Sequence, residues 1–440
     1  MTSDEPGDNS IGGSPAAPVV AFGRQGYYPG RAVVDLDAIA ANVAQLKRMA
    51  AAGAGSDCRS AGGPAVMGIV KADGYGHGLL PSALACLSGG ATWLGAAQLG
   101  EALTLRQKLA ACDGATTLSG TPPHVLAWIY SRQAPFAEAI AHGIDMGVSA
   151  PWALRDIAAA ANQVGQPARL HLKIDTGMGR AGQTREGWAD FVDEALRLEA
   201  AGDVRVVGCW SHFALAEDLD HPSVAKQLDV FQEACASAEA KGAHFEVRHI
   251  ANSAATVLNP AAYFDMIRPG LAVYGLSPVP EIDGPERWGL RPAMTIEASL
   301  SLVKNVRAGQ GVSYGLTYTT QEDTTLAVVP LGYSDGVPRA ASNCGPVQIG
   351  GQRNHVVGRV CMDQFVVDLG PQRALSSGGG GPIAAGDQVV IFGDGATGAP
   401  TVQDWADAAG TISDEIVARV GWRLPRVYIG EVARRWEGVI

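Results

Sequence analysis

Ala65-Val66-Met67-Gly68-Ile69-Val70-Lys71-Ala72-Asp73-Gly74-Tyr75-Gly76-His77-Gly78 is the stretch on which the reading of the chain turns. Its first six residues are an apolar run of strand length, and a lysine follows at the strand's C-terminal end. A glycine-spaced aromatic loop comes next. That order excludes a P-loop, in which the lysine follows the glycines. In parallel α/β proteins the C-terminal strand ends are where active sites form, so Lys71 is a candidate site residue. A strand-end lysine alone more often just reaches solvent, so its weight depends on what the other strand ends carry.

On both sides of this stretch, strand-like runs alternate with helix-like segments. The runs are Ala65–Val70, Ala91–Ala96, Thr116–Leu118, Asp145–Val148, Arg169–Ile174, Val204–Trp210, Phe245–Ile250 and Met266–Ala272. Between them lie amphipathic pieces such as Gly187–Ala200, with Trp188, Phe191, Val192, Ala195 and Leu196 on one face. Eight such repeats predict an α/β fold, a TIM-type (β/α)8 barrel, with a doubly wound open sheet as the alternative. From about Leu290 the runs are β-rich and separated by Gly, Asn and Asp, and Thr401–Val420 reads as helical. The predicted organisation is a disordered tail at 1–27, a barrel domain at 28–288 and a mainly β C-terminal domain at 289–440. The first strand, about 32–36, is free to pair with the C-terminal domain. Ala51–Gly63 reads as an inserted surface loop and Gly378–Gly381 as a flexible one.

Composition narrows the function classes. The 440 residues are 47% hydrophobic and 18% charged, which excludes a mostly disordered chain. Acids outnumber bases 44 to 33, with no Lys/Arg stripe, so neither nucleic acid nor an anionic membrane is an expected partner. No run reaches the ~20 apolar residues of a bilayer span. The seven scattered cysteines suit reduced thiols, and the Gly/Ser/Pro-rich start lacks a signal-peptide pattern; both point to the cytoplasm. No histidine spacing suggests a metal site.

Gly177–Gly182 formally matches the dinucleotide fingerprint GxGxxG, but the next strand ends Val207-Gly208-Cys209-Trp210 with no acid for a ribose. A tight loop into a helix explains these glycines equally well. The seventh and eighth strand ends say more. His249-Ile250-Ala251-Asn252-Ser253-Ala254 offers a hydroxyl and backbone N–H groups, and in Arg268-Pro269-Gly270-Leu271 the glycine lets backbone approach an anion. A lysine at strand one with a phosphate cup at strands seven and eight suits an aldehyde cofactor, and pyridoxal 5'-phosphate (PLP) is the obvious candidate.

At these residues the chain resembles the alanine racemases. Lys71–Gly78, His171–Arg180, Ser211–Ala214, His249–Ala254, Phe264–Gly275, Gly311–Gly315, Leu331–Gly336 and Gly358–Gln364 follow in the family's order over nearly the whole chain. The resemblance implies a PLP barrel joined to a β domain, a head-to-tail homodimer with shared active sites, and racemisation of L- and D-alanine that supplies D-alanine for peptidoglycan. It implies Lys71 and Tyr314 as the two catalytic bases, Tyr314 reaching in from the partner subunit with His212 as its helper. It places Tyr75, Ser253, Gly270 and Leu271 around the phosphate and Arg268 at the ring nitrogen, and gives substrate contacts to Arg180 and Met362. Lys173 stands where many members carry a carbamylated lysine.

One position departs. Asp414 stands where many members have a tyrosine that reaches the phosphate and narrows the entrance, so either it points away or something replaces that contact. A racemase for serine or a broader amino-acid set is therefore the alternative within the class. Cys361 passes for a nucleophile by position, but no activating histidine is implied.

Overall fold

A computed structural model describes residues 19–20, 27–55, 58–60, 62–371 and 382–440. The loop expected at Gly378–Gly381 and most of the tail lie outside them. Eight parallel strands form the barrel sheet: Ala65–Ile69, Trp93–Gln98, His124–Ile129, Ile144–Val148, Ala168–Lys173, Val204–Trp210, Val247–His249 and Met266–Ile267. Met266 pairs with Ala65, bringing the last strand beside the first. Between the seventh and eighth strands the Asp265 N–H donates to the Arg248 carbonyl (3.1 Å) and the Arg268 N–H to that of Ala251 (3.0 Å). The barrel therefore closes, and the open-sheet alternative fails.

The third strand is not at Thr116–Leu118. Those residues enter a turn in which the Thr117 N–H donates to the Thr121 carbonyl and the Gly120 N–H to that of Thr117. The strand is His124–Ile129, paired in parallel with Trp93–Gln98 and with Ile144–Met146. Val125–Ala127 is fully buried and has no polar alternation, so periodicity does not distinguish this run from a helix. The eighth strand shrinks to two residues, because Leu271–Tyr274 winds into a 3-10 turn.

The second sheet has ten strands and is antiparallel apart from one pair. Gly30–Asp35 belongs to it, between Met294–Ser299 and Arg426–Ile429, so the chain's early strand is built into the C-terminal sheet. Asp35 then caps the helix Leu36–Ala52, accepting from the Ala38 N–H, and that helix returns to the barrel. Val19–Val20 adds an edge to Arg426–Ile429 through its backbone. The expected helical end splits at Gly410, whose φ is +66°, into Val402–Ala409 and Ser413–Ala418. The second of these helices packs against the turn that follows Lys71.

Candidate active site

Lys71 leads into an unusual backbone. Ala72, Asp73, Gly74 and Tyr75 have φ of +53°, +55°, +63° and +52°, one turn of left-handed helix. Such a turn costs roughly 1–2 kcal/mol per non-glycine residue, so the surroundings must over-determine it. They do. The Gly78 N–H donates to the Asp73 carbonyl (2.8 Å), the Asp73 carboxylate accepts from the Leu79 N–H (2.7 Å), and the buried His77 Nδ1 lies 2.8 Å from the Tyr75 carbonyl. Arg426, from the C-terminal sheet, donates to the Gly76 carbonyl (2.9 Å) and to the carbonyls of Val420, Gly421 and Leu424. Sequence reasoning missed Arg426, since nothing in its neighbours marks a contact with a loop some 350 residues earlier.

The turn opens onto a cavity of about 730 Å³. Lys71 and Tyr75 line it with Lys173, Arg180, His212, Arg268, Ser253, Gly270 and Leu271. Burial lowers the Lys71 pKa; the Asp414 charge opposes this and the Arg180 charge adds to it. Arg268 is fully enclosed, and burial pushes its guanidinium down to about 9, still a cation at neutral pH. It donates to the Ser211 carbonyl (2.8 Å), His212 Nδ1 (3.2 Å) and His249 Nδ1 (3.0 Å). Burial, followed by the charges of Arg268, Arg180, Lys173 and Lys71, holds the His212 imidazole well below its usual value. His212 is therefore neutral, with Nδ1 accepting and its proton on Nε2.

The seventh and eighth strand ends form a small cradle. The Ser253 hydroxyl oxygen accepts from the Gly270 N–H (2.9 Å) and the Ala272 N–H (3.3 Å). A Cβ on Gly270 would lie 2.3 Å from the Tyr75 hydroxyl oxygen, so a larger residue there would have to displace the tyrosine. Hydroxyls, backbone N–H groups and nearby cations converge, an arrangement able to hold a phosphate.

Asp414 does not point away. It lines the same cavity, burial raises its pKa, and its charge acts on both Lys71 and Tyr75. Tyr314 and Met362 are absent from the lining; they stand on the C-terminal domain with 73% and 52% exposure. One chain therefore gathers every other predicted site residue but leaves these two outside. Among the described residues no cluster of His, Cys, Asp or Glu could hold a metal, and no helix is long and apolar enough to cross a membrane.

A closed (β/α)8 barrel with a strand-end lysine, a cation-lined cavity and an appended β domain defines a two-domain barrel enzyme. The family model for the alanine racemase N-terminal domain matches residues 34–278, and that for the C-terminal domain residues 293–428. Alanine racemase of Beutenbergia cavernae is 52% identical over 92% of this chain and 98% of its own. The solved alanine racemase of Streptomyces coelicolor A3(2) is 48% identical, superposes with a TM-score of 0.84, and is matched over 92% of this chain and 98% of that one. That of Streptomyces lavendulae gives 47% and 0.83, over 92% and 97%. The chain belongs to the alanine racemase family and is an amino-acid racemase, an isomerase.

Proposed function

We propose that the protein interconverts L- and D-alanine with PLP held in this cavity, using one base from each of two subunits. The observation that carries the reading is the convergence of Lys71, Ser253, Gly270 and Arg268 from the first, seventh and eighth strand ends on one cavity, while Tyr314 stays exposed outside it. The residues fit the cofactor. An amine, a phosphate cradle that a Cβ would obstruct, and a buried donor-only guanidinium match its aldehyde, phosphate and ring nitrogen. When bound, PLP supplies an aldehyde that links to an amine and a ring that acidifies the amino acid's Cα–H.

Lys71 would hold the aldehyde carbon and, once released, move the proton on one face of Cα. Its lowered pKa favours the free amine that a base requires. Tyr75, Ser253, Gly270 and Leu271 would cup the phosphate. Arg268 cannot accept a proton, so it would leave the ring nitrogen unprotonated and limit the electron sink, which suits return of the proton to Cα. Arg180 offers a bidentate fork to the substrate carboxylate. Tyr314 would serve the opposite face and Met362 would contact substrate, each entering the cavity of a second copy in a head-to-tail homodimer. His212, with Nδ1 taken by Arg268, keeps Nε2–H to meet that phenol. A carbamylated Lys173 would place an anion beside Arg180. In a cytoplasmic setting the product D-alanine would supply peptidoglycan.

A broader substrate set, serine included, is a second reading, favoured by Asp414 in the cavity wall. The test incubates PLP-loaded protein in D₂O with L-alanine, D-alanine or L-serine and follows Cα deuteration and optical rotation. Exchange from both alanine isomers is expected, abolished in Lys71→Ala and impaired mainly from the L-isomer in Tyr314→Phe. No exchange in either direction would sink the racemase reading, and equal small losses in Tyr314→Phe would sink the two-base assignment.

A further inference from the structure

Next to Arg268 lies a row of buried polar side chains, none of which lines the cavity. Arg268 Nη1 is 3.0 Å from His249 Nδ1, His249 Nε2 is 2.9 Å from His171 Nδ1, and His171 Nε2 is 3.4 Å from Asp145 Oδ2. His249, His171 and Asp145 all have 0% exposure. The other Asp145 oxygen accepts from Arg169 Nε (2.9 Å), and Arg169 continues to Glu246 (2.8 Å), which is partly exposed.

The row has a direction. A guanidinium can only donate, so His249 Nδ1 must be bare. A neutral His249 then carries its proton on Nε2 and donates to His171 Nδ1. His171 in turn carries its proton on Nε2 and donates to Asp145. Neutrality fits His249, whose imidazole is held well below its usual value by burial and then by the Arg268 charge. Ionisation fits Asp145: burial would raise its carboxyl, but the hydrogen bond from His171 and the charge and hydrogen bond of Arg169 hold it low.

The backbone is shaped around this row. His171 is on the fifth strand and His249 on the seventh, so their contact must pass over the sixth. The residue of the sixth strand paired with His171 is Gly208, and a Cβ there would lie 2.2 Å from His171 Nδ1. The pairing of fifth and sixth strands shifts register between Leu170 and His171, an irregularity that re-aims a side chain. Trp210 stacks on the His249 ring at 5.7 Å and 16°, and its Nε1–H donates to the His171 carbonyl (3.2 Å). A glycine, a register shift and a stacked indole at one place form a built support.

We propose that Asp145, His171 and His249 are positioning residues of the racemase, a one-way hydrogen-bond chain that sets both imidazole tautomers and holds Arg268 as a fixed donor at the cavity. The positioning role rests on Arg268 facing the cofactor ring; the tautomers do not depend on it. The closing experiment separates the two.

Long-range ¹H–¹⁵N spectra of the full chain labelled with ¹⁵N-histidine, recorded at neutral pH without cofactor, should show His171 and His249 neutral, protonated at Nε2 and bare at Nδ1. A proton on Nδ1 of His249 in the unsubstituted protein would overturn the chain, whatever the variants do. In Asp145→Asn the amide can donate, so His171 should turn to its Nδ1–H form and face the His249 proton. PLP-loaded Asp145→Asn should then lose about 10- to 100-fold in kcat, with KM for alanine changed by less than about threefold and the bound cofactor's absorption shifted, as expected for a displaced group that touches the cofactor rather than the substrate. Reversed tautomers with unchanged kcat and spectrum would refute the positioning role. Inactivity of the unsubstituted holoenzyme would instead count against the racemase reading and leave the tautomer result standing.

Discussion

The Nζ of Lys173 lies 4.3 Å from the centre of the Trp210 ring, inside a cavity wall that also carries Arg180 and Arg268. Burial, and then the charges of Arg268 and Arg180, push the Lys173 amine down to about 8, against the weaker pull of Asp175. About a tenth of it is then neutral at pH 7, enough to react with dissolved carbon dioxide. We expect a carbamate on Lys173. Protein equilibrated with ¹³C-bicarbonate should show one carbamate resonance that is missing from Lys173→Arg; a spectrum without it in excess bicarbonate would refute the modification.

Asp414 and Lys71 face each other's charge across the domain boundary. Asp414 raises the Lys71 pKa, so Asp414→Asn should lower it and make the free amine available at lower pH. The acid limb of kcat/KM should move to lower pH. The substitution also removes an anion from the side of the cavity that would hold phosphate, so PLP should bind about 2- to 5-fold more tightly to the apoprotein by fluorescence titration, as a half-buried charge effect of up to about 1 kcal/mol implies. Weaker binding with an unmoved limb would mean that Asp414 acts by shape.

Gly270 has φ of −110° and ψ of −86°, outside the regions that residues with a Cβ prefer, so Gly270→Ala adds a backbone cost to the steric one. Its methyl group must displace the Tyr75 hydroxyl. Overpacking of this kind costs about 1–3 kcal/mol, read as a lower urea midpoint, and PLP affinity should fall with it. Removing the hydroxyl in Gly270→Ala/Tyr75→Phe should restore the part of the stability lost to the clash and leave the backbone part lost. A double variant no more stable than the single one would place the clash elsewhere.

His77 is fully buried in the turn after Lys71, and burial lowers its pKa from 6.5 to about 4, against the hydrogen bonds to Tyr75 and Gly74. Between pH 6.5 and 4 the unfolded chain holds a proton there that the folded chain does not. Stability therefore falls as pH drops through that window, by about 3 kcal/mol in all, and is unaffected above it. Urea midpoints measured from pH 7 to pH 4 should decline less steeply in His77→Gln. Parallel slopes in the two proteins would show that other groups carry the acid sensitivity.

Much of this protein is legible in its residues because the relevant physics is local. The Val70-Lys71 boundary between apolar run and glycine-spaced loop, the Ser253 and Gly270 loops, and the change of texture near Leu290 are contiguous patterns, and they lead to the barrel, the β domain and the family. The third strand was not legible, because Val125–Ala127 is buried on all sides and a strand there has no alternation to display.

By itself the sequence determined the residue types at the barrel's strand ends, hence the amine, the anion cradle and the cations available to the chemistry. Only the tertiary structure decided their neighbours. It places the strand Gly30–Asp35 in the C-terminal sheet, turns Asp414 inward and leaves Tyr314 outside, clamps the left-handed turn with Arg426, and lines up His249, His171 and Asp145 next to Arg268. The reason is physical. Periodicity and turn chemistry act over a few residues, whereas hydrogen bonds and burial join side chains from separate strands, whose pairing and register no local pattern encodes.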